Sequence, residues 1–545
     1  MPGLKARPTY VRFVSIVTAG TALAVTLAAQ GQFGRITFPT SGPAPAQASF
    51  IRGVTQLHNF EYDEAILSFR EAERLAPGFA MAHWGEALSY SQPLWYNEEV
   101  GKGREALARL APAAAARAAK APTTREKGWL DAVERLYGDG DRTARQRAYA
   151  DRMAQLARDF PDDDEVQTFY ALALLGTIPQ GERRPEVSLK AGGIAAAVFK
   201  KNPQHPGAAH YMLHAYDDGE HNAQALQAAR TYAKIAPASS HALHMPSHVF
   251  LPLGMWDEAV ASDEASWNAS VAWVKRTNRT QDQRDFHSLS WLHYEYLQQG
   301  RFSKARELEA IVRNAVEQSA KTSTSTSSAH HVESEIGRGY APMSLRNELA
   351  SMRARDVVDS RDFARMKGQG NFDNIDELFA VGLASITLGD LARTNAAIGQ
   401  LENAGKTVPD RDAAEVSRIM ASELSGVLQF AAGDRQRGLA ELKRAAEAEA
   451  ARPRPIARPY PIKPANELYG ELLLGSGDAQ GAIRQFSASL TRTPRRWASL
   501  YGLASALASA GNMAEASKTA KEFLASWHLA DAGRKEVGDM RQIAR

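Results

Sequence analysis

Small, aromatic and proline positions recur along this chain with a period of about 34 residues. Between Ala46 and Phe79 they fall at Gly53, at Tyr62-Asp63-Glu64-Ala65, at Phe69, Ala72 and Pro77. Pro206–Ser239 repeats the pattern with Tyr216, Ala225, Ala229, Tyr232 and Pro237. Ser240–Trp273 follows in register with Phe250, Gly254 and Trp256-Asp257-Glu258-Ala259. From Phe286 come Tyr296, Gly300, Phe302 and Ala305, and Lys463–Arg496 carries Gly477, Ala482, Phe486 and Pro494. A last unit from Trp497 carries Leu507, Gly511, Ala516 and Ala520, and degenerate units fill 123–161, 165–203, 375–405 and 413–447. Apolar residues recur at three and four, and alternating β-branched strands are absent, so the units are helical. One such unit cannot bury its apolar face alone, so neighbours must stack.

These spacings resemble the tetratricopeptide repeat (TPR). The resemblance implies an all-α chain, a right-handed α-solenoid that is a superhelix of antiparallel helix pairs. A length of 545 residues exceeds the roughly 250–300 that one packed core serves, and a repeat stack accommodates it. Two stretches interrupt the pattern. Lys321–Ser328 (KTSTSTSS) reads as a polar linker, and Arg452–Pro464 (RPRPIARPYPIKP) as extended polyproline-type chain. The expected division is a leader over 1–48, a histidine-bearing TPR array over 49–316, a linker over 317–345 and a second TPR array over 346–545.

The leader sets the compartment. Residues 13–29 (FVSIVTAGTALAVTLAA) are apolar and uncharged, and Lys5, Arg7 and Arg12 precede them. This is the layout of an export signal, with small-residue cleavage sites at Ala46-Gln47-Ala48 and around Ala28-Ala29. The expectation is an exported protein, periplasmic or extracellular. The alternative is an uncleaved anchor, the only route to membrane contact. Five basic residues precede the first acid, Glu61, so the formal charge of +3 belongs to this segment and the body is near neutral. Such a balance gives no support to nucleic-acid binding.

Chemistry is concentrated in histidine. There is no cysteine, which excludes disulfides, thiolate metal sites and thiol nucleophiles. No Gly-x-Ser-x-Gly elbow, phosphate-binding loop or His-Glu-x-x-His is present. Nine of the 14 histidines lie in 205–293. His210 and His214 stand one turn apart on one helix face, as do His244 and His248, and the two pairs are offset by the repeat length. Imidazoles bind zinc, copper or iron without thiolate help. His210, His214, His244 and His248 are therefore candidate ligands of a divalent transition metal. Asp217, His241 and His287 are candidate ligands or orienting groups. Two other readings fit the pattern: a metal-free ligand groove, and histidines copied for packing. Pro246 should start the helix of its repeat near Leu243–Met245, leaving His244 at its beginning and His248 inside it.

By the TPR resemblance, the first-helix slots of these histidines line a concave groove, joined by His241, Asp217, Asp218, His287 and Tyr294. His83 and Trp95 are expected in an aromatic core, His58 on a helix surface and His528 without a partner. His330-His331 with Glu333 and Glu335 reads as solvated loop. The stretches FEYDEAILSFREAERLAPGFAMAHWGEALSYSQPLW, PQHPGAAHYMLHAYDD with ALQAARTYAKIAPASSHALHMPSHVFLPLGMWDEA, and ELYGELLLGSGDAQGAIRQFSASL resemble a group of exported bacterial TPR proteins. Those share HYxxH and HxxHMPSH signatures, here His210, His214, His241, His244 and His248. The function expected is a histidine-rich groove holding a divalent transition metal. The alternative is a scaffold that binds a peptide or protein partner without metal. Protonation competes with metal, so affinity should fall below about pH 6.

Overall fold

The computed structural model of the chain describes residues 32–321, 344–368 and 374–545. The described residues are almost wholly helical, a TPR-like stack of antiparallel helix pairs. The first pair is Ala44–His58 with Tyr62–Leu75. Each degenerate unit is also a helix pair, among them Thr124–Leu136 with Arg142–Asp159 and Arg411–Ala431 with Arg435–Ala450. An added helix, Lys535–Ile543, covers the last pair. One small departure is a two-residue antiparallel ladder, Ser91–Gln92 with Asn97–Glu98. Side chains set the helix starts: Asp141, Asp163, Asp410 and Asp478 accept a first-turn N–H, and Thr123 with Glu126 closes a capping box.

The repeat pattern has a steric cause. The Phe69 ring is wedged between Gly53 and Gly85, where an added Cβ would lie 2.8 and 2.3 Å from it. Phe486 is held in the same way between Gly470 and Gly502. A second-helix aromatic thus enters the gap left by small residues on two consecutive first helices.

The chain forms two compact units. The first comprises the described residues of Met1–Thr177, Val187–Met212 and Thr231–Ala242. Its core is aromatic: Phe38 stands 5.2 Å from Phe50, 5.6 Å from Trp84 and 5.4 Å from Trp129 by ring centroids. The second comprises Ile178–Glu186, Leu213–Arg230 and the described residues of Leu243–Arg545. Inside it the last pair packs against the helix Phe302–Lys321, with Trp497, Trp527 and Phe302 in one core.

Three boundaries differ from the expectation. The folded body does not begin at residue 49, because Ile36, Phe38 and Ala46 are buried in the first unit. Helices on both sides of 317–345 belong to the second unit, so that stretch does not divide the units. The proline-rich segment is not an exposed spacer. Ile456–Pro464 is buried save for Tyr460, and Arg458 Nη1 donates to the Ser290 carbonyl at 2.9 Å and to Glu348 at 3.3 Å. The chain itself fills the interior of the second unit there. The apolar run 13–29, the Ser/Thr run from 322 onward and His330, His331, Glu333 and Glu335 lie outside the described residues. No helix among the described residues is long and apolar enough to cross a membrane.

Candidate metal centre

In the second unit, His244, His248 and His287 offer ligand atoms that all lie within 4.8 Å of one another. Pro246 has no N–H to donate, and the helix is cut there. A five-residue helix, Ser240–His244, precedes it and a four-residue helix, Ser247–Phe250, follows. The first begins before the expected Leu243–Met245, so His244 closes one helix and His248 opens the next. His287 is the second residue of Phe286–Gln298. Trp291, one turn on, lays its indole 4.4 Å from His248 and 5.1 Å from His244 by ring centroids. All three histidines are buried.

Carboxylates fix two of the rings. His248 Nδ1 donates to Asp217 at 2.9 Å, and His244 Nδ1 to Asp263 at 2.6 Å. Asp217 therefore orients an imidazole, one of the two roles expected for it. Burial pushes both Asp263 and the neighbouring Glu295 well above the usual carboxylate range. With a proton on Glu295, Asp263 accepts from His244. With Nδ1 as donor, a neutral imidazole presents a lone pair at Nε2. The two Nε2 atoms face each other at 3.0 Å. Two lone pairs at that distance repel unless a proton or a cation sits between them. Two nitrogens each about 2.0–2.1 Å from one ion stand roughly 2.9–3.4 Å apart at bond angles near 90–110°.

The first unit holds a second facing pair. His210 Nδ1 donates to the His58 carbonyl at 2.7 Å, and its Nε2 lies 2.9 Å from His241 Nε2. His241 is helical, the second residue of Ser240–His244. Phe60 packs on both rings, and Trp95 packs edge-on to His241. His210 and His214 share the helix Pro206–Ala215, and His214, also buried, falls in the second unit.

A third cluster is different in kind. His58 is not a surface residue but fully buried, with Nε2 2.8 Å from Glu165 and Nδ1 2.9 Å from the Tyr211 hydroxyl. His205 Nε2 stands 3.3 Å from the same carboxylate, and its Nδ1 accepts the Ala208 N–H at 3.2 Å. Burial lowers the His58 pKa, so its ring is neutral and accepts from Tyr211. Burial also raises Glu165, but the two imidazoles outweigh that and hold it at about 2. Every ring nitrogen here is committed to a hydrogen bond. The cluster suits an internal charge anchor, not a metal.

The remaining expected residues lie elsewhere. Tyr294 is interior, its hydroxyl accepting from Arg496 Nη1 at 3.2 Å, and does not line an open groove. Asp218 holds a turn, accepting from the Glu220 and His221 backbone N–H groups and from His221 Nδ1. His83 is buried as expected, its ring nitrogens 3.1 Å from the Ala106 and Pro77 carbonyls. His528 is exposed and pairs with the Ala525 carbonyl. Asp263 and Glu165 were not anticipated. Asp263 lies on the buried stripe Ala259–Trp267 and Glu165 one turn before Phe169. A carboxylate on a buried face was the available signal.

No family model matches the chain, and no curated protein matches it. Among solved structures it is similar to the human IFIT1 dimer with m7Gppp-AAAA at 12% identity and a TM-score of 0.33, over 92% of this chain and 93% of that one. It is also similar to the APC/C hetero-tetramer Cut9-Hcn1 at 11% identity and a TM-score of 0.29, over 97% of this chain and 81% of that one. Likeness at this level transfers no site or partner.

Proposed function

We propose that the second unit binds a divalent transition metal through His244, His248 and His287. The observation that carries this is the 3.0 Å approach of two Nε2 atoms whose Nδ1 atoms are each held by a buried aspartate. Carboxylate–histidine–metal arrays are built in this way, the carboxylate fixing the tautomer and raising ligand basicity. Imidazole-only ligation suits zinc, copper or iron. Three imidazoles leave coordination positions for water or a small ligand. The compartment is outside the cytoplasm, on the strength of the apolar leader.

A TPR-like stack is also an interaction scaffold by architecture. In the second unit, however, Ile456–Pro464 occupies interior surface that an extended peptide would need. The test is metal analysis of the purified full chain after reconstitution, beside His244→Ala/His248→Ala. The wild type should hold metal that the variant lacks. A wild type that holds no more metal than the variant overturns the proposal.

A further inference from the structure

We infer that the first unit carries a second, independent cation site built on His210 and His241. It rests on the chemistry proposed for the second unit but on none of its residues.

The two constructions correspond. His210 and His244 occupy the same slot of consecutive repeats, offset by the repeat length. In each case the second residue of the next first helix is a histidine packed edge-on to that ring: His241 in Ser240–His244, 4.8 Å from His210, and His287 in Phe286–Gln298, 4.6 Å from His244, by ring centroids. In each case Nδ1 is tied to an acceptor. For His244 it is Asp263, and for His210 it is the His58 carbonyl. That carbonyl comes from the last residue of the helix Ala44–His58, where the macrodipole adds negative potential. A carbonyl cannot donate, so His210 must carry its proton on Nδ1 and present a lone pair at Nε2. That lone pair meets His241 Nε2 at 2.9 Å. Tyr232 stacks on His210 at 5.2 Å, and with Phe60 and Trp95 it walls the pair in aromatic surface. The site would take the same class of ion, a borderline divalent metal with imidazole preference. His241 is only partly buried, which gives an ion a way in.

The rival is a plain hydrogen bond, His241 Nε2–H to His210 Nε2. Ion stoichiometry separates the two. The full chain is loaded with Zn(II) near pH 7.5, freed of excess and weighed for bound metal. Variants are His241→Gln, His210→Gln/His241→Gln and His244→Gln/His248→Gln. His241→Gln is the mild variant, because its side chain lies at the edge of the core. Two ions per wild-type chain, falling to one in each site's variant, is the expected result. A wild-type chain whose zinc content is untouched by His241→Gln and by the double first-unit variant overturns the inference. If only the first-unit variants lose metal, the second-unit proposal falls and this one stands.

Discussion

Glu165 is the most informative residue to perturb for stability. It takes a hydrogen bond from the buried His58 imidazole and lies 3.3 Å from that of His205, inside the first unit. Glu165→Leu keeps most of the volume but leaves the buried His58 Nε2 without a partner, while His205 Nε2 keeps the Thr168 hydroxyl at 3.5 Å. Such an orphan costs about 1–3 kcal/mol, so the expected loss is about 2 kcal/mol. For a domain of this size that is roughly 4–8 °C in melting temperature. Glu165→Gln should behave otherwise. The His205 tautomer is locked, because its Nδ1 accepts the Ala208 N–H. His58 is not locked, since the Tyr211 hydroxyl can switch from donating to accepting. The amide oxygen can then serve His205 while the amide N–H serves His58, and the loss should stay near 1 kcal/mol. Urea unfolding followed by the fluorescence of Trp84 and Trp129 reads the first unit, where both are packed on Phe169. If Leu and Gln destabilise equally, the tautomer argument is wrong. Acid supplies a second reading. His58 is lowered from 6.5, so the unfolded chain takes that proton first and stability falls as pH drops through 6.5. Glu165 is held near 2 against 4.5, so its contribution is present above pH 4.5 and is lost as pH falls toward 2. Glu165→Gln should remove the second loss and keep the first.

If export removes a leader, the cut should fall ahead of Ile36 and Phe38, as intact mass would show. Cleavage after Ala48 would delete Phe38, whose loss alone should cost about 3–5 kcal/mol. Arg458→Met strands the buried Glu348 and should destabilise the second unit by about 3–5 kcal/mol. The pair Arg458→Met/Glu348→Gln should recover much of that in urea titrations. Zinc affinity, measured against a chromophoric chelator, should fall below about pH 6. A flat curve from pH 8 to 5 contradicts imidazole ligation.

The helix pairs were legible because their cause is local. A glycine on two consecutive first helices and an aromatic between them leave a periodic trace, as at Gly53, Phe69 and Gly85. The slots of His244 and His248 were legible for the same reason. What the trace could not carry was non-local. Phe38 precedes the first repeat and still fills the core. Ile456–Pro464 lacks any periodic signature, so its burial follows only from what surrounds it. Pairing across repeats was hidden too, since nothing in the spacing said that His244 would meet His287 or that Asp263 would hold it.

The three histidine clusters differ in what occupies their ring nitrogens, and that difference decides their chemistry. Around Glu165 each imidazole has a carboxylate on one nitrogen and a hydroxyl or backbone N–H on the other. A cation there would have to displace bonds already made in a dry interior, where each costs most to break. At His244 and His248 the acceptors lie on Nδ1 and the Nε2 atoms are turned toward each other; His210, with Nδ1 likewise held, turns its Nε2 toward that of His241. Packing alone has no reason to point a held imidazole's Nε2 at another Nε2 twice, one repeat apart. Repeat duplication explains why the slot holds histidine, but it does not supply acceptors. Asp263 and Asp217 serve one pair and a helix-terminal carbonyl the other. Two unlike means of holding Nδ1 single out the Nε2 lone pairs of His210, His244 and His248 as what the proposed ions would use.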